Sequence, residues 1–162
     1  MALRITTKDR GYESLKKTLD LSRQKLDIGI FSPEGDVKYE ENGATVMMAA
    51  LFAEFGTKTQ PKRSFLRAWF DQNEDLLKFW LKGEWERVAR GEQTMDEALA
   101  NVGRRAAHAI KQRILNGLDP DNAPSTVKKK GYNFPLLGLT GRLIAAISYR
   151  INGRAPRGVN SK

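Results

Sequence analysis

The chain has 162 residues, 40% of them hydrophobic, carries a formal net charge of +9 and contains no cysteine. That length and composition suit one domain with a modest core, and they exclude wholesale disorder, a disulfide framework, a thiolate metal site and a cysteine nucleophile. The N-terminus lacks the apolar core of a signal peptide, and the longest apolar run, residues 46–53, is too short to span a bilayer. We therefore expect a soluble protein, made in the cytosol, without a membrane partner.

The first 40 residues predict strands and one helix. Residues 3–5 alternate apolar and polar side chains, which is a weak strand signal, and residues 9–23 have apolar side chains at helical spacing. Alternation over 25–31 predicts a second strand. After a proline- and glycine-containing turn, residues 37–40 are expected to return beside it as a hairpin.

Two helices are predicted in the middle of the chain. The first covers about 44–55 and should end at Gly56, in a left-handed conformation. The second covers about 65–90, with Ser64 as its N-cap and a bend or break at Gly83, because an interior glycine costs roughly 1 kcal/mol relative to alanine.

The next helix has the strongest signals in the chain. Thr94 and Glu97 form a capping box at its start, and Gly117 marks its end. One apolar stripe runs along it, made of Leu99, Val102, Ala106, Ile110 and Ile114. We expect this stripe to face the core.

The C-terminal part of the chain is harder to interpret. Residues 118–139 lack periodicity and predict a long irregular loop or arm, ordered on assembly, before a strand at 147–151. The fold class is therefore α+β, a small, mainly antiparallel sheet packed against three to four helices. We expect one domain at 1–151 and a flexible basic tail at 152–162.

The excess positive charge lies in this C-terminal part. Residues 122–162 hold eight basic and no acidic residues, whereas residues 1–121 hold 20 basic and 19 acidic residues. Such a segment either binds a polyanion, nucleic acid above all, or is a solvated tail. The candidate DNA-facing residues are Lys128, Lys129, Lys130, Arg154 and Arg157.

A search for catalytic or metal-binding patterns finds none. His108 is the only histidine, and without cysteine it cannot complete a zinc site of normal composition. Asp71, Glu74 and Asp75 share a helical face, which is typical of solvated helix surface. The aromatic residues Phe65, Trp69, Phe70, Phe79, Trp80 and Trp85 have the spacing of a core or an interface rather than a base-stacking platform. We expect no enzymatic activity, no cofactor and no metal.

Two segments carry a more specific pattern. The first follows Ala53 and reads Glu54-Phe55-Gly56-Thr57, then Pro61-Lys62-Arg63-Ser64-Phe65-Leu66-Arg67. The second has Thr126 and Lys130, then Pro135-Leu136-Leu137, Thr140-Gly141-Arg142-Leu143 and Ile147. In order and spacing they resemble the signature of tailed-bacteriophage virion morphogenesis proteins, which include tail-completion, tail-terminator and neck (head–tail joining) proteins. The chain departs from that pattern at Ser64, Leu139 and Ala146, where the family has proline, aspartate and serine.

The resemblance implies an α+β subunit of a homo-oligomeric ring between the DNA-filled head and the tail. A hexamer is expected, with twelve subunits as the alternative. The ring would bind the tail tube and the head connector or neck proteins, assemble in the host cytoplasm and remain in the tail or neck of the virion. Its basic side chains would screen the channel DNA without reading sequence.

Under this hypothesis the two signature segments form a structural joint and interface. We expect Arg63 and Arg67 to hold the joint by bidentate pairing with a carboxylate, that of Glu54. The second segment is expected to start a short helix at 140–143. The alternative function is that of a nucleic-acid-binding protein without sequence specificity, which uses residues 122–162 directly.

Overall fold

The computed structural model describes residues 24–40, 43–133, 135–136 and 141–155. In chain order the elements are strand β1 (Leu26–Ile30), a 3-10 turn (Glu34–Asp36), helices α1 (Val46–Phe55), α2 (Arg67–Gln72), α3 (Glu74–Ala89), α4 (Met95–Leu115), α5 (Pro124–Lys130) and α6 (Arg142–Ala146), and strand β2 (Ile147–Ile151). The predicted α+β class is confirmed. The strand predicted at 3–5 and the helix predicted at 9–23 lie outside the described residues.

The sheet joins two strands that are far apart in sequence. β1 pairs antiparallel with β2, in a register that places Leu26 opposite Ile151 and Ile30 opposite Ile147. The predicted hairpin is wrong, because residues 37–40 form no strand and Lys38 makes only an isolated bridge to Thr45. β2 offers two buried apolar side chains to the core, and this long-range packing outweighs the local turn signal.

Helix α4 is the centre of the fold. Its predicted capping box is present, with Thr94 Oγ1 accepting from the Glu97 N–H and the Glu97 carboxylate accepting from the Thr94 N–H. All five residues of the predicted stripe are buried. Helix α3 packs along α4, and both strands lie across it. The Tyr149 ring sits so close to Gly103 that an added Cβ would lie 2.5 Å from it, so α4 and β2 can approach only at a glycine.

The helix predicted at 65–90 is two helices. α2 ends at Gln72 and α3 begins at Glu74, and the break lies at Asn73 instead of at Gly83, which is inside α3. The Asn73 side-chain amide donates to the Trp69 carbonyl at 2.8 Å, a local bond that competes with the helical ladder. Among the described residues, no helix is long and apolar enough to cross a membrane.

The segment predicted to be irregular, 118–139, contains a helix. Helix α5 begins at Pro124, which is compatible with the first turn because that position needs no N–H donor. The Asn122 N–H donates to the Asn133 side-chain oxygen at 3.1 Å, which links the segments that precede and follow α5. Of the predicted tail, only residues 152–155 are described.

Candidate functional site

Glu54 is the centre of the joint that the first signature segment forms. It lies on the inward face of α1, beside Ala50 and Ala53, and only 7% of it is exposed. Its Oε1 accepts from the Ser64 hydroxyl at 2.5 Å and from the Arg67 N–H at 3.1 Å. The second oxygen, Oε2, accepts from the N–H groups of residues 65 and 66, each at 3.1 Å.

These four bonds explain why a carboxylate stands in a buried position. The first N–H groups of a helix have no partner within the helix, and Glu54 accepts from that of Arg67, the first residue of α2, and from the two N–H groups just before it. Burial raises the pKa of the Glu54 carboxyl, but the bonds from Ser64 and from the backbone of 65–67 outweigh it, and the net pKa lies below the ordinary glutamate value. The joint therefore holds an ionised carboxylate at neutral pH.

The predicted pairing of Arg63 and Arg67 with Glu54 is wrong. Arg63 donates from Nε to the Pro120 carbonyl at 2.7 Å and from Nη2 to the Asp121 carbonyl at 2.8 Å. The Arg67 guanidinium lies over the Phe55 ring, 5.1 Å from its centroid. Backbone N–H groups a few residues away take the acceptor positions of the buried carboxylate, so both guanidinium groups bind more exposed partners.

The link between α1 and α2 needs a glycine at its first residue. Gly56 has φ of +75°, and an added Cβ would lie 3.0 Å from the Lys62 nitrogen. Thr57 then closes a tight turn, in which its N–H donates to the Gln60 carbonyl and its Oγ1 accepts from the Gln60 N–H. Pro61 is exposed, and the Arg63 N–H returns to the Ala53 carbonyl at 2.8 Å. The link thus brings residue 63 back alongside the end of α1.

The structure brings the second signature segment against the first. Leu143 is buried in the same apolar cluster as Val46 and Phe65, and α6 packs on α1. Gly141 precedes α6, and Arg142 donates to the Lys38 carbonyl at 3.0 Å. Thr140, the remaining predicted residue of this segment, lies outside the described residues.

The outward face of α1 is apolar and exposed. Met48, Leu51, Phe52 and Phe55, hereafter the α1 stripe, follow i, i+3, i+4, i+7 spacing and are 41–59% exposed. The opposite face of the same helix holds Val46, Ala50, Ala53 and Glu54, all buried. Apart from Glu54, this helix is therefore apolar on both its buried and its exposed face.

A second buried carboxylate, Glu84, was not singled out from the sequence. It is 3% exposed on α3 and accepts from Gln93 Nε2 at 2.7 Å, from Asn101 Nδ2 at 3.1 Å and from Arg105 Nη2 at 3.1 Å, with Arg87 Nη1 at 3.4 Å. Burial raises the pKa of the Glu84 carboxyl, but the amide donors and the arginines lower it by more than that. The net pKa is below the ordinary glutamate value. The sequence signal was its position on the apolar face of α3, four residues after Trp80 and four before Val88.

The basic residues are only partly described. Lys128 is exposed on α5, and Arg154 is exposed just after β2. The side chains of Lys129 and Lys130, and all of Arg157, lie outside the described part. His108 is exposed on α4, and the described residues hold no group of three or more histidine, cysteine, aspartate or glutamate residues that could bind a metal ion.

Comparison of the chain with models of protein families, with curated proteins and with solved structures found no match.

Proposed function

We propose that this chain is a non-enzymatic structural protein of a tailed bacteriophage, a tail-completion, tail-terminator or neck subunit that forms a ring around the DNA channel and joins the tail to the head. The observation that carries the proposal is the α1 stripe. Helix α1 holds the joint on its inner face and presents four large apolar side chains on its outer face. A subunit whose role is assembly needs such a surface.

The internal contacts support the same function. Glu54 and Arg63 attach α1 to α2 and to residues 120–121, and α6 packs on α1 from the second signature segment. Both segments that resemble the phage family therefore fix the position of one helix. A rigidly held helix presents its outer face with little conformational freedom to lose on binding, which favours association.

The proposed mechanism is templated docking. A ring requires heterologous contacts, in which one face of a subunit meets a different face of the next. The closed ring would then bind the end of the tail tube or the head connector, end one polymer and offer a surface for the next. Lumenal basic side chains would screen DNA phosphates without reading sequence.

Sedimentation velocity over a range of concentrations tests the proposal with one variant and one control. Leu51→Ser removes an exposed apolar side chain from the stripe and should leave the fold intact, while His108→Ser changes an exposed residue on α4. We expect self-association of the wild type, weaker association of Leu51→Ser and no change for His108→Ser. Equal association of all three proteins would refute the role of the stripe.

A second candidate function, non-specific nucleic-acid binding, is favoured by the eight basic and zero acidic residues of 122–162. A protein of that kind should shift duplex DNA with an affinity that falls steeply with salt. Under the leading proposal, DNA binding is weak and self-association or tail attachment dominates. Measuring both properties in the same buffer separates the two functions.

A further inference from the structure

Gly83 is a glycine that the described part of its own protomer does not require. It lies inside α3, is exposed, and has ordinary helical geometry. Among the described residues, an added Cβ would meet nothing within 4 Å. Because an interior glycine weakens a helix relative to alanine, a contact outside the protomer is a physical reason for its presence.

The surface around Gly83 is open and apolar. Phe79, one turn earlier, is 72% exposed, and Leu76, a further turn back, is 39% exposed. Leu76, Phe79 and Gly83, hereafter the α3 face, follow i, i+3, i+7 spacing along one side of the helix. Beside them is an open groove of about 250 Å³, lined by Phe79, Trp80, Gly83, Glu84, Arg87 and Arg105. The missing side chain at position 83 leaves that groove accessible.

We infer that the α3 face and its groove receive the α1 stripe of a second copy of this chain. The inference deepens the proposed function and rests on it, because it names the two different faces that a heterologous ring contact needs. An aromatic side chain of the stripe would enter the groove, and Gly83 would allow the helices to approach closely.

Charge and area support this occupant. Residues 46–67 hold four basic residues and one acidic residue, whereas residues 68–89 hold five acidic and three basic residues, so the two segments are complementary in charge. If each fully exposed side chain has about 150 Å² of surface, the exposed fractions of the four residues of the α1 stripe add up to roughly 300 Å² of apolar surface in contact with solvent. That is about a third of the roughly 800 Å² that each partner contributes to a standard interface, as expected for its apolar centre.

The two faces are attached to different parts of the protomer. Helix α1 packs on α6 and on the 3-10 turn, whereas α3 packs on α4. The two exposed faces can therefore be presented to different neighbours. A contact between unlike faces adds copies in one direction, and the rotation between them decides whether the ring closes.

Cross-linking tests the pairing directly, since the chain has no native cysteine. Met48→Cys labels the stripe and Glu86→Cys labels the border of the α3 face, and neither removes a phenylalanine. We expect a short bismaleimide to join a mixture of the two single variants into a dimer, and each variant alone to give far less product. Met48→Cys mixed with His108→Cys, a site on α4, is the matched control.

Gly83→Ala provides a second test, because it should raise the stability of the protomer and weaken its self-association. Alanine should raise the melting temperature of the unassembled protein by about 2–4 °C, because it favours the helix and meets no neighbour in the part of the chain that the structure describes. The same change, and more strongly Gly83→Leu, should weaken self-association, by about ten-fold or more for leucine. A purely structural role for the site predicts higher stability with unchanged association, and that result would overturn the inference.

The outcomes separate this inference from the function on which it rests. Wild-type rings, without a cross-linked product between the Met48→Cys and Glu86→Cys variants, would refute the paired faces and leave the ring proposal standing. A wild-type protein that stays monomeric, even with phage tails, would refute both. If the new thiol of the monomeric Met48→Cys variant reacts slowly with a thiol reagent, the chain's own residues cover the stripe, which also refutes the pairing.

Discussion

Replacing Glu54 by glutamine tests the physical account of the joint. Glutamine has nearly the same shape, but it exchanges one carboxylate oxygen for an amide that donates hydrogen bonds. In the wild type each oxygen accepts two bonds, from Ser64 and Arg67 at one and from Phe65 and Leu66 at the other. Whichever way the amide turns, two donors lose their acceptor and meet another donor.

The magnitude follows from these contacts. Hydrogen bonds to a charged group contribute about 1.5–3 kcal/mol each, and a buried donor without a partner costs about 1–3 kcal/mol. Because the two lost bonds share one site and are not additive, we expect a loss of about 3 kcal/mol in the free energy of unfolding. In a domain of this size that corresponds to a melting temperature about 6–12 °C lower.

Thermal unfolding by circular dichroism at pH 7 measures this loss. Glu86→Gln is the control, since Glu86 is exposed on α3 and its change should stay within about 0.5 kcal/mol. The account is refuted if Glu54→Gln melts within about 1 °C of the wild type. Such a result would mean that water, and not the carboxylate, satisfies the start of α2.

Three further predictions concern the joint and the second buried carboxylate, Glu84. Because the folded pKa of Glu54 and of Glu84 is depressed, their contribution to stability is complete above the ordinary glutamate pKa of about 4.3 and is lost as pH falls through the folded values. Chemical denaturation from pH 7 to pH 3 should show this loss in the wild type and a smaller loss in Glu54→Gln. An equal dependence of the unfolding free energy on pH in the two proteins would contradict the prediction. Gly56→Ala should cost about 1–3 kcal/mol in the same assay, because it adds a strained φ and a contact at 3.0 Å, whereas the wild-type midpoint would contradict the geometry. Arg63→Lys should lower the free energy of unfolding by about 1 kcal/mol and speed hydrogen exchange near residues 120–123, because lysine cannot donate to both carbonyl groups in the geometry of the guanidinium. Unchanged exchange would show that Arg63 does not hold that segment.

The sequence correctly predicted the helices and strands whose signals lie within a few neighbouring residues. The capping box and apolar stripe of α4, the strand at 147–151 and the short helix after Gly141 all have patterns of a few residues, and the structure has each of them. Local patterns could not predict which strand pairs with β1, because that pairing depends on side chains more than 100 residues away. The proline that begins α5 was interpreted as a loop residue, although the first turn of a helix accepts it.

The joint shows a similar division. The sequence singled out Glu54 and Arg63 and placed both in one structural joint, but charge suggested that they pair with each other. In the structure the carboxylate binds backbone N–H groups that only the fold of the link brings within reach, and Arg63 binds carbonyls 57 and 58 residues further along the chain. Side-chain type alone does not reveal such backbone partners. Glu84, by contrast, could have been found, because a glutamate on the apolar face of a helix must be buried with donors.

Negative-stain images of phage tails that lack this subunit, with and without the purified protein, test the central claim most directly. The account predicts ring-shaped density at the open ends of the tails when the wild-type protein is added, and fewer capped ends when Phe79→Ser replaces it. Tail ends that remain unchanged at every protein concentration, together with a protein that stays monomeric and binds duplex DNA, would contradict it.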